Sequence, residues 1–218
     1  MPAREKYLSE YLYWQRAWIS GGGSFQKAHY PGLMLAMAGE ADEAFLQDKV
    51  VADFGCGPCE SLWWAKSARL RIGIDVVADR YSEFNISSHQ MCYVISTEQG
   101  IPLPSNYVDF MFTLNAMDHV QNLEVICHEL IRTLKPGGEF IGSFNLGEPA
   151  STTEPQTLTE DKIKDCLLQH LEVISYRLAP QDESLGGHGH SYRYFFEPIP
   201  EGLKTDRQFL WVRARKRR

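Results

Sequence analysis

One segment, residues 50–61, limits the folds open to this chain more than any other. It runs VVADFGCGPCES, an apolar stretch that ends in Asp53 and is followed by Gly55 and Gly57. A short apolar run of this kind is typical of a buried strand, and two glycines separated by one residue let a backbone approach a ligand closely. A helix predicted near residues 59–67 would direct its free N–H groups to the same place. The segment therefore predicts a nucleotide-sized ligand at the carboxyl end of a strand.

Two other chemistries use similar segments. A dinucleotide-binding loop has its third glycine where Glu60 stands here, and a carboxylate at that point would repel the phosphates, which argues against hydride transfer. Cys56 to Cys59 spell CGPC, the dithiol sequence of thioredoxins, which also lies between a strand and a helix. A thioredoxin domain is much shorter than this chain and has a tryptophan before its first cysteine, where Phe54 and Gly55 stand. A dithiol oxidoreductase is therefore the less favoured alternative.

The composition indicates one acidic domain of enzyme size. With 218 residues, 44% of them apolar, the chain can bury a large core, and we expect a helical cap at 1–47 and a single globular unit at 48–218. The net charge of −6 argues against nucleic acid and membrane surfaces as partners. Five cysteines, an odd number without a second CxxC pair, predict reduced thiols and no metal site.

The amino terminus and the hydropathy bear on where the chain is found. The first residues, MPAREK, lack the apolar core of a signal peptide. No stretch reaches the roughly twenty apolar residues of a membrane span. We therefore expect a cytoplasmic protein, a monomer or homodimer, that acts on a small-molecule substrate.

Strand and helix patterns alternate along the chain, which predicts an α/β fold with a doubly wound, mostly parallel sheet covered by helices on both faces. A capping box at 157–160 predicts the start of one helix, and the basic run 213–218 is expected to be a solvated terminus. The predicted strands lie near 50–54, 70–75, 91–95, 108–114, 139–145 and 171–178, and the predicted helices near 33–46, 59–67, 78–86, 122–135 and 158–169.

A second strand pattern, Leu70–Val76, contains Asp75 about twenty residues after the glycine turn, where an acid can hydrogen-bond ribose hydroxyls. Three more segments follow in order: IPLPSNYVDFMF at 101–112, MDHV at 117–120 and LKPGG at 134–138. With the glycine turn, they make residues 45–146 resemble the class I S-adenosylmethionine-dependent methyltransferases. The resemblance implies a Rossmann-like sheet of seven strands whose last strand, Gln208–Val212, is antiparallel.

The resemblance also implies S-adenosyl-L-methionine as the cofactor. Asp53 would help to hold its methionine end, and Asp75 its ribose. Cys59 stands where many relatives have a third glycine. The candidate cofactor-binding residues are Asp53, Gly55, Cys56, Gly57, Asp75, Val76, Thr97, Glu98 and Asn115.

The implied reaction is in-line methyl transfer to a small molecule, with oxygen or carbon favoured as the acceptor atom. The acceptor must lie about 3 Å from the methyl group in a pocket that excludes water, and a hydroxyl, an acidic carbon or a protonated amine needs a base. Asp118 and His119 are the candidate catalytic residues, although a histidine at this point also serves commonly in packing. A partner protein that binds the cofactor without catalysis is the main alternative.

Candidate substrate-binding residues come from other parts of the chain. Tyr11 and Trp14 lie before the first strand, where the family usually builds part of its specificity. His188 and His190 would reach the pocket from a loop after the sixth strand, and two histidines without a third ligand do not predict a metal site. The polar connection 147–155, rich in turn-forming residues, is predicted to act as a lid.

Overall fold

The computed structural model describes residues 3–181, 192–203 and 205–218, and its elements follow the predicted alternation. Its strands are β1 Val50–Phe54, β2 Leu70–Asp75, β3 Cys92–Ile95, β4 Val108–Leu114, β5 Leu134–Leu146, β6 Leu171–Pro180 and β7 Gln208–Lys216. Its α-helices are α1 Ala3–Ser20, α2 Tyr30–Ala38, α3 Leu123–Thr133 and α4 Glu160–Cys166.

The seven strands form one sheet in the order β3-β2-β1-β4-β5-β7-β6. β1 pairs in parallel with both β2 and β4, and β7 runs antiparallel between β5 and β6. The predicted sheet of seven strands with an antiparallel last strand is confirmed. Because the strand order reverses between β1 and β4, their carboxyl ends flank the crevice where such sheets bind ligands.

Apolar side chains fill both faces of the sheet. On one face, α3 and α4 cover a cluster that includes Met111, Phe140 and Phe144. On the other, Met34 and Met37 of α2 pack with strand residues of a second cluster. α2 is therefore part of a layer on the sheet.

α1 takes a different course, across the carboxyl ends of the strands. Its side chains reach the segments that follow all four strands from β1 to β4, through contacts with Gly57, Glu83, Glu98 and His119. Of the two amino-terminal helices, α1 is the one that covers the crevice. None of the helices in the described ranges is long and apolar enough to cross a membrane.

The prediction of a helix near 59–67 is wrong. Residues 55–69, all of them described, form successive turns, such as the one closed by Trp63 N–H and the Glu60 carbonyl at 3.0 Å. Glu60 has a φ of 52°, outside the right-handed helical region. Its carboxylate accepts a hydrogen bond from the backbone N–H of Gln90 at 2.9 Å. A local turn and one long-range bond therefore stand where a helix would have its i→i−4 bonds.

Three smaller differences concern element boundaries. The helix predicted near 78–86 is a 3₁₀ helix, Ala78–Phe84. α4 is capped by Thr159, whose hydroxyl accepts from Lys162 N–H at 3.2 Å, so the cap lies two residues after the predicted one. β7 continues to Lys216, and its arginines bond the Glu139 carboxylate, so only Arg217 and Arg218 of the basic run form the exposed terminus that was predicted.

Candidate active site

The glycine turn follows β1 and is crossed by the segment after β4. Gly55 has a φ of 71° and donates its N–H to the Ile74 carbonyl at 2.8 Å. A Cβ on Gly55 would overlap the Cβ of Ala116. Glycine is therefore required here both by the backbone conformation and by the close approach of the two segments.

Asp53 brings a buried carboxylate to the end of β1. Its side chain is 2% exposed, and its Oδ2 accepts a hydrogen bond from the Ser61 hydroxyl. Its Oδ1 is buried and has no hydrogen-bond partner among the described residues. Burial raises the pKa of Asp53 to about 7, against the opposing effect of the Ser61 hydrogen bond. A buried carboxylate with a free oxygen is suited to a positively charged ligand.

Asp75 ends β2 on the adjacent strand. Its carboxylate accepts hydrogen bonds from Gly57 N–H at 3.0 Å and Val77 N–H at 3.1 Å. Burial raises its pKa, while these two backbone donors act in the opposite direction. Tyr81 is fully buried nearby, and its hydroxyl interacts with the Asp75 carboxylate. Val76 is partly buried beside these groups.

The end of β3 differs from the prediction in detail. Thr97 is exposed, and Glu98 is held by the Lys6 ammonium at 3.1 Å and by Gln121 N–H at 2.8 Å. Ser96, which the sequence did not single out, is 3% exposed, and its hydroxyl has no partner within the described ranges. Ser96 is therefore the buried polar group that faces inward at this strand end.

The CGPC cysteines are buried free thiols. Burial raises the pKa of Cys56 well above its usual value and that of Cys59 to about 12. A Cβ at Gly73 would come within 2.7 Å of the Cys56 sulfur, so this thiol occupies space above β2. Because a redox-active dithiol needs an accessible thiolate, this arrangement argues against the oxidoreductase alternative.

The two candidate substrate residues of α1 belong to one apolar cluster but contact different segments. A Cβ on Gly57 would come within 2.5 Å of the Trp14 indole, so Trp14 covers the glycine turn. Tyr11 is 7% exposed, bonds the carboxylate of Glu83 and stacks on Phe84. The Tyr11 side chain therefore contacts the segment after β2.

Asn115 and two residues that the sequence analysis missed form a polar cluster after β4. The Asn115 amide donates to the Tyr192 hydroxyl at 2.6 Å, and the Ser143 hydroxyl donates to Asn115 Oδ1 at 2.9 Å. Burial raises the pKa of Tyr192 to about 12, so the phenol stays neutral. No local sequence signal joins Tyr192 to Asn115, since the two are 77 residues apart.

Asp118 and His119 complete the segment after β4. Asp118 is 3% exposed, its Oδ1 has no hydrogen-bond partner among the residues described, and burial raises its pKa to about 6. The His119 ring lies 4.0 Å from that oxygen and bonds Glu10 of α1 at 2.7 Å. Burial lowers the pKa of His119, but Glu10 outweighs this effect and the pKa lies above its usual value.

The connection predicted as a lid lies against this segment. Gln156 donates its backbone N–H to the Asp118 carbonyl at 3.1 Å and its amide to the Gln121 carbonyl at 3.0 Å. The Glu154 carboxylate is 3.8 Å from the His119 ring. His188 and His190 lie outside the described residues, and within the ranges described no cluster of side chains could hold a metal ion.

Comparisons with known proteins agree with this arrangement. The family described as "Methyltransferase domain" matches residues 52–142. The sterol 24-C-methyltransferase erg6 of Aspergillus fumigatus is 35% identical over 63 residues, which are 29% of this chain and 17% of that protein. The chain thus spans under a fifth of the length of this relative.

Similar solved structures share the whole fold. An S-adenosylmethionine-dependent methyltransferase from Mesorhizobium loti superposes with a TM-score of 0.59 at 16% identity over 83% of this chain and 96% of the other. For a chain in the complex of the Haloferax volcanii Trm112 methyltransferase activator and a methyltransferase, the TM-score is 0.61 at 14% identity, over 87% of this chain and 90% of the other. For the [4+2]-cyclase SpnF, the TM-score is 0.60 at 19% identity, over 89% of this chain and 84% of the other.

The sheet order and the acids at the ends of β1 and β2 define an α/β protein with buried carboxylates at its switch point. Residues 52–142 match a methyltransferase domain, and the fold is the one found in solved S-adenosylmethionine-dependent methyltransferases.

Proposed function

We propose that this protein binds S-adenosyl-L-methionine and transfers its methyl group to a small-molecule acceptor. The observation that carries the proposal is Asp53, a carboxylate 2% exposed with one oxygen unpartnered among the described residues, beside a turn whose Gly55 admits no side chain. A ligand with a cationic methionine end supplies the partner that this oxygen lacks.

The other residues of the crevice suit the rest of that ligand. Asp75 keeps acceptor capacity for ribose hydroxyls after its two backbone hydrogen bonds, because a carboxylate offers about four lone-pair sites. Ser96 supplies a buried hydroxyl that has no partner among the described residues. Thr97, Glu98 and Val76 stay candidates for the adenine side. Trp14 would cover the ligand as it covers the turn.

The bound cofactor supplies an electrophilic methyl group on a sulfonium. The chain orients the acceptor opposite that methyl group and excludes water, through α1 on one side and the 147–157 connection on the other. Asp118 and His119 are the groups placed to hold or receive a proton from the acceptor. A cytoplasmic location and a monomer or homodimer stay predictions.

Calorimetry with S-adenosylhomocysteine tests the binding step. The wild-type protein should take up this ligand, and Asp75→Asn should weaken the uptake by about 10- to 100-fold, which corresponds to the loss of charge-assisted hydrogen bonds. Asp79→Asn is the matched control, because Asp79 is exposed just after β2. Cys59→Ser should also bind normally. An absence of uptake by the wild type, or equal affinities for Asp75→Asn and Asp79→Asn, contradicts the proposal.

The fold by itself leaves a second function open. SpnF, a [4+2]-cyclase, shares the fold at a TM-score of 0.60, so a protein of this architecture need not transfer a methyl group. Transfer of radiolabel from S-adenosylmethionine to an acceptor separates a methyltransferase from a protein that binds the cofactor without transferring its methyl group.

A further inference from the structure

The segment after β4 carries a second buried carboxylate that binding of the cofactor does not explain. Asp118 is 3% exposed, and its Oδ1 has no hydrogen-bond partner in the described part of the chain. Two residues earlier, Ala116 lies against Gly55 of the glycine turn. Asp118 therefore lies close to the crevice, in the segment that follows β4, the strand next to the one that carries Asp53.

The surroundings of Asp118 are acidic. Glu154 and Glu148 both contribute to its raised pKa by their negative charge. Among the described residues, the sole cationic group within 4.0 Å of Asp118 is the His119 ring, whose other nitrogen is bonded to Glu10. Two cationic side chains, His119 and the Lys6 ammonium that contacts its carbonyl, thus stand among five carboxylates: Asp118, Glu10, Glu98, Glu148 and Glu154. A buried carboxylate without a full partner is costly, and this group of acids would repel an acceptor that is itself an anion.

We propose that the methyl acceptor is an amine that enters as an ammonium ion and is held by Asp118. This inference rests on the proposed function and assigns its substrate class. An ammonium supplies donors to the free Oδ1 and charge to an acidic pocket. A nitrogen acceptor differs from the oxygen or carbon acceptor expected from the sequence.

The proton balance also points to Asp118. An ammonium nitrogen must lose one proton before its lone pair can attack, and Asp118 receives that proton. The nitrogen–carbon bond then forms as the sulfur–carbon bond breaks, and the bonding electrons return to sulfur, which becomes a neutral thioether. Tyr192 is excluded as the base, because its hydroxyl is bonded to Asn115 and Ser143 and its pKa is raised to about 12.

Matched pairs of amines and alcohols test the acceptor class. The probes are phenethylamine with 2-phenylethanol, and octylamine with 1-octanol, each added to the protein with S-adenosylhomocysteine for thermal shift and with radiolabelled S-adenosylmethionine for transfer. We expect amines, and not their alcohols, to raise the melting temperature of the complex and to accept the label. If an alcohol binds or reacts as well as its amine, the inference is wrong. It is also wrong if neither amine raises the melting temperature or accepts the label.

The variant Asp118→Asn tests the assigned residue. It should lower amine methylation by about 100-fold or more, as expected for loss of a base and a charge partner, while calorimetry shows an unchanged affinity for S-adenosylhomocysteine. Asp161→Asn, an exposed acid on α4, is the matched control and should leave both quantities unchanged. Amine methylation that survives Asp118→Asn overturns the inference. If the wild type does not bind S-adenosylhomocysteine, the proposed function is wrong instead, so the two failures are distinguishable.

Discussion

At the scale of single residues, the molecule places acids where burial makes them costly without a ligand. Asp53 is the clearest case, since burial raises its pKa from 3.8 to about 7. The folded protein therefore binds this proton more tightly than the unfolded chain does. The stability that Asp53 contributes is present below pH 4 and is lost as the pH rises towards 7.

Asp53→Asn should reveal this penalty in the ligand-free protein. At pH 8 the wild type holds a buried charge, and the neutral amide should raise the free energy of unfolding by on the order of 2 kcal/mol. At pH 5 the carboxyl is protonated in the folded wild type but mostly ionised in the unfolded chain, so only part of the penalty remains and the gain should be smaller. Urea unfolding at both pH values measures the difference. A gain that is the same at pH 5 and pH 8, or the same for the exposed Asp79→Asn, would refute this account.

At the scale of elements, α1 is held over the crevice by polar contacts. Lys6 is 2% exposed, and its ammonium contacts both the Glu98 carboxylate and the His119 carbonyl. Glu10 adds its bond to His119 one turn further along the helix. Since Lys6 and Glu98 are both buried, loss of either leaves a charge without its partner.

A double-mutant cycle on Lys6 and Glu98 should show strong coupling. Lys6→Met alone should cost about 3 kcal/mol of unfolding free energy, and the double variant with Glu98→Gln should lose less than the sum of the two single variants by 1 kcal/mol or more. The control cycle uses Lys164 and Glu160, an exposed pair on α4, for which we expect at most about 0.5 kcal/mol. Urea unfolding of the wild type and the six variants provides the values for both cycles. Similar coupling in both cycles would mean that α1 is not held by this ion pair.

The parallel strands of the sheet could be predicted because their signal is local. β1 is buried at each of its five positions, so its sequence is an unbroken apolar run up to Asp53, and the prediction near 50–54 matches Val50–Phe54. The prediction of a helix near 59–67 was wrong because Glu60 is held by Gln90, 30 residues away. A local apolar pattern carries no information about such a contact.

The difference between local and long-range contacts also explains which site residues could be predicted. Asp53, Gly55 and Asp75 follow the ends of strands at fixed spacing, so their position was predictable. Lys6 and Glu98 are 92 residues apart, and Glu10 and His119 are 109 apart. Whether two such groups meet depends on how α1 packs across the sheet, which the sequence pattern does not specify.

At the scale of the whole molecule, the carboxyl-terminal strand joins the amino-terminal helix α2 to the centre of the sheet. Arg213 donates to Glu139 of β5 at 2.7 Å and to Glu40 at 2.8 Å, and it also bonds the carbonyl of Ala38 at the end of α2. Arg215 donates to the same Glu139 at 2.7 Å. The side chains differ in burial, since Arg213 is 15% exposed and Arg215 is 46% exposed.

Arg213 and Arg215 share one carboxylate, so their variants test whether burial determines how much each ion pair contributes to the free energy of unfolding. Arg213→Gln removes the link between α2 and the sheet and leaves Glu139, 7% exposed, with one partner, so it should cost about 2 to 3 kcal/mol of unfolding free energy. Arg215→Gln removes an exposed partner of the same carboxylate and should cost less than about 1 kcal/mol. Urea unfolding of both variants measures the contrast. Equal losses would show that the charge of Glu139, and not the anchoring of α2, determines the effect; a larger loss for Arg215→Gln would mean that the helix contributes nothing through Arg213.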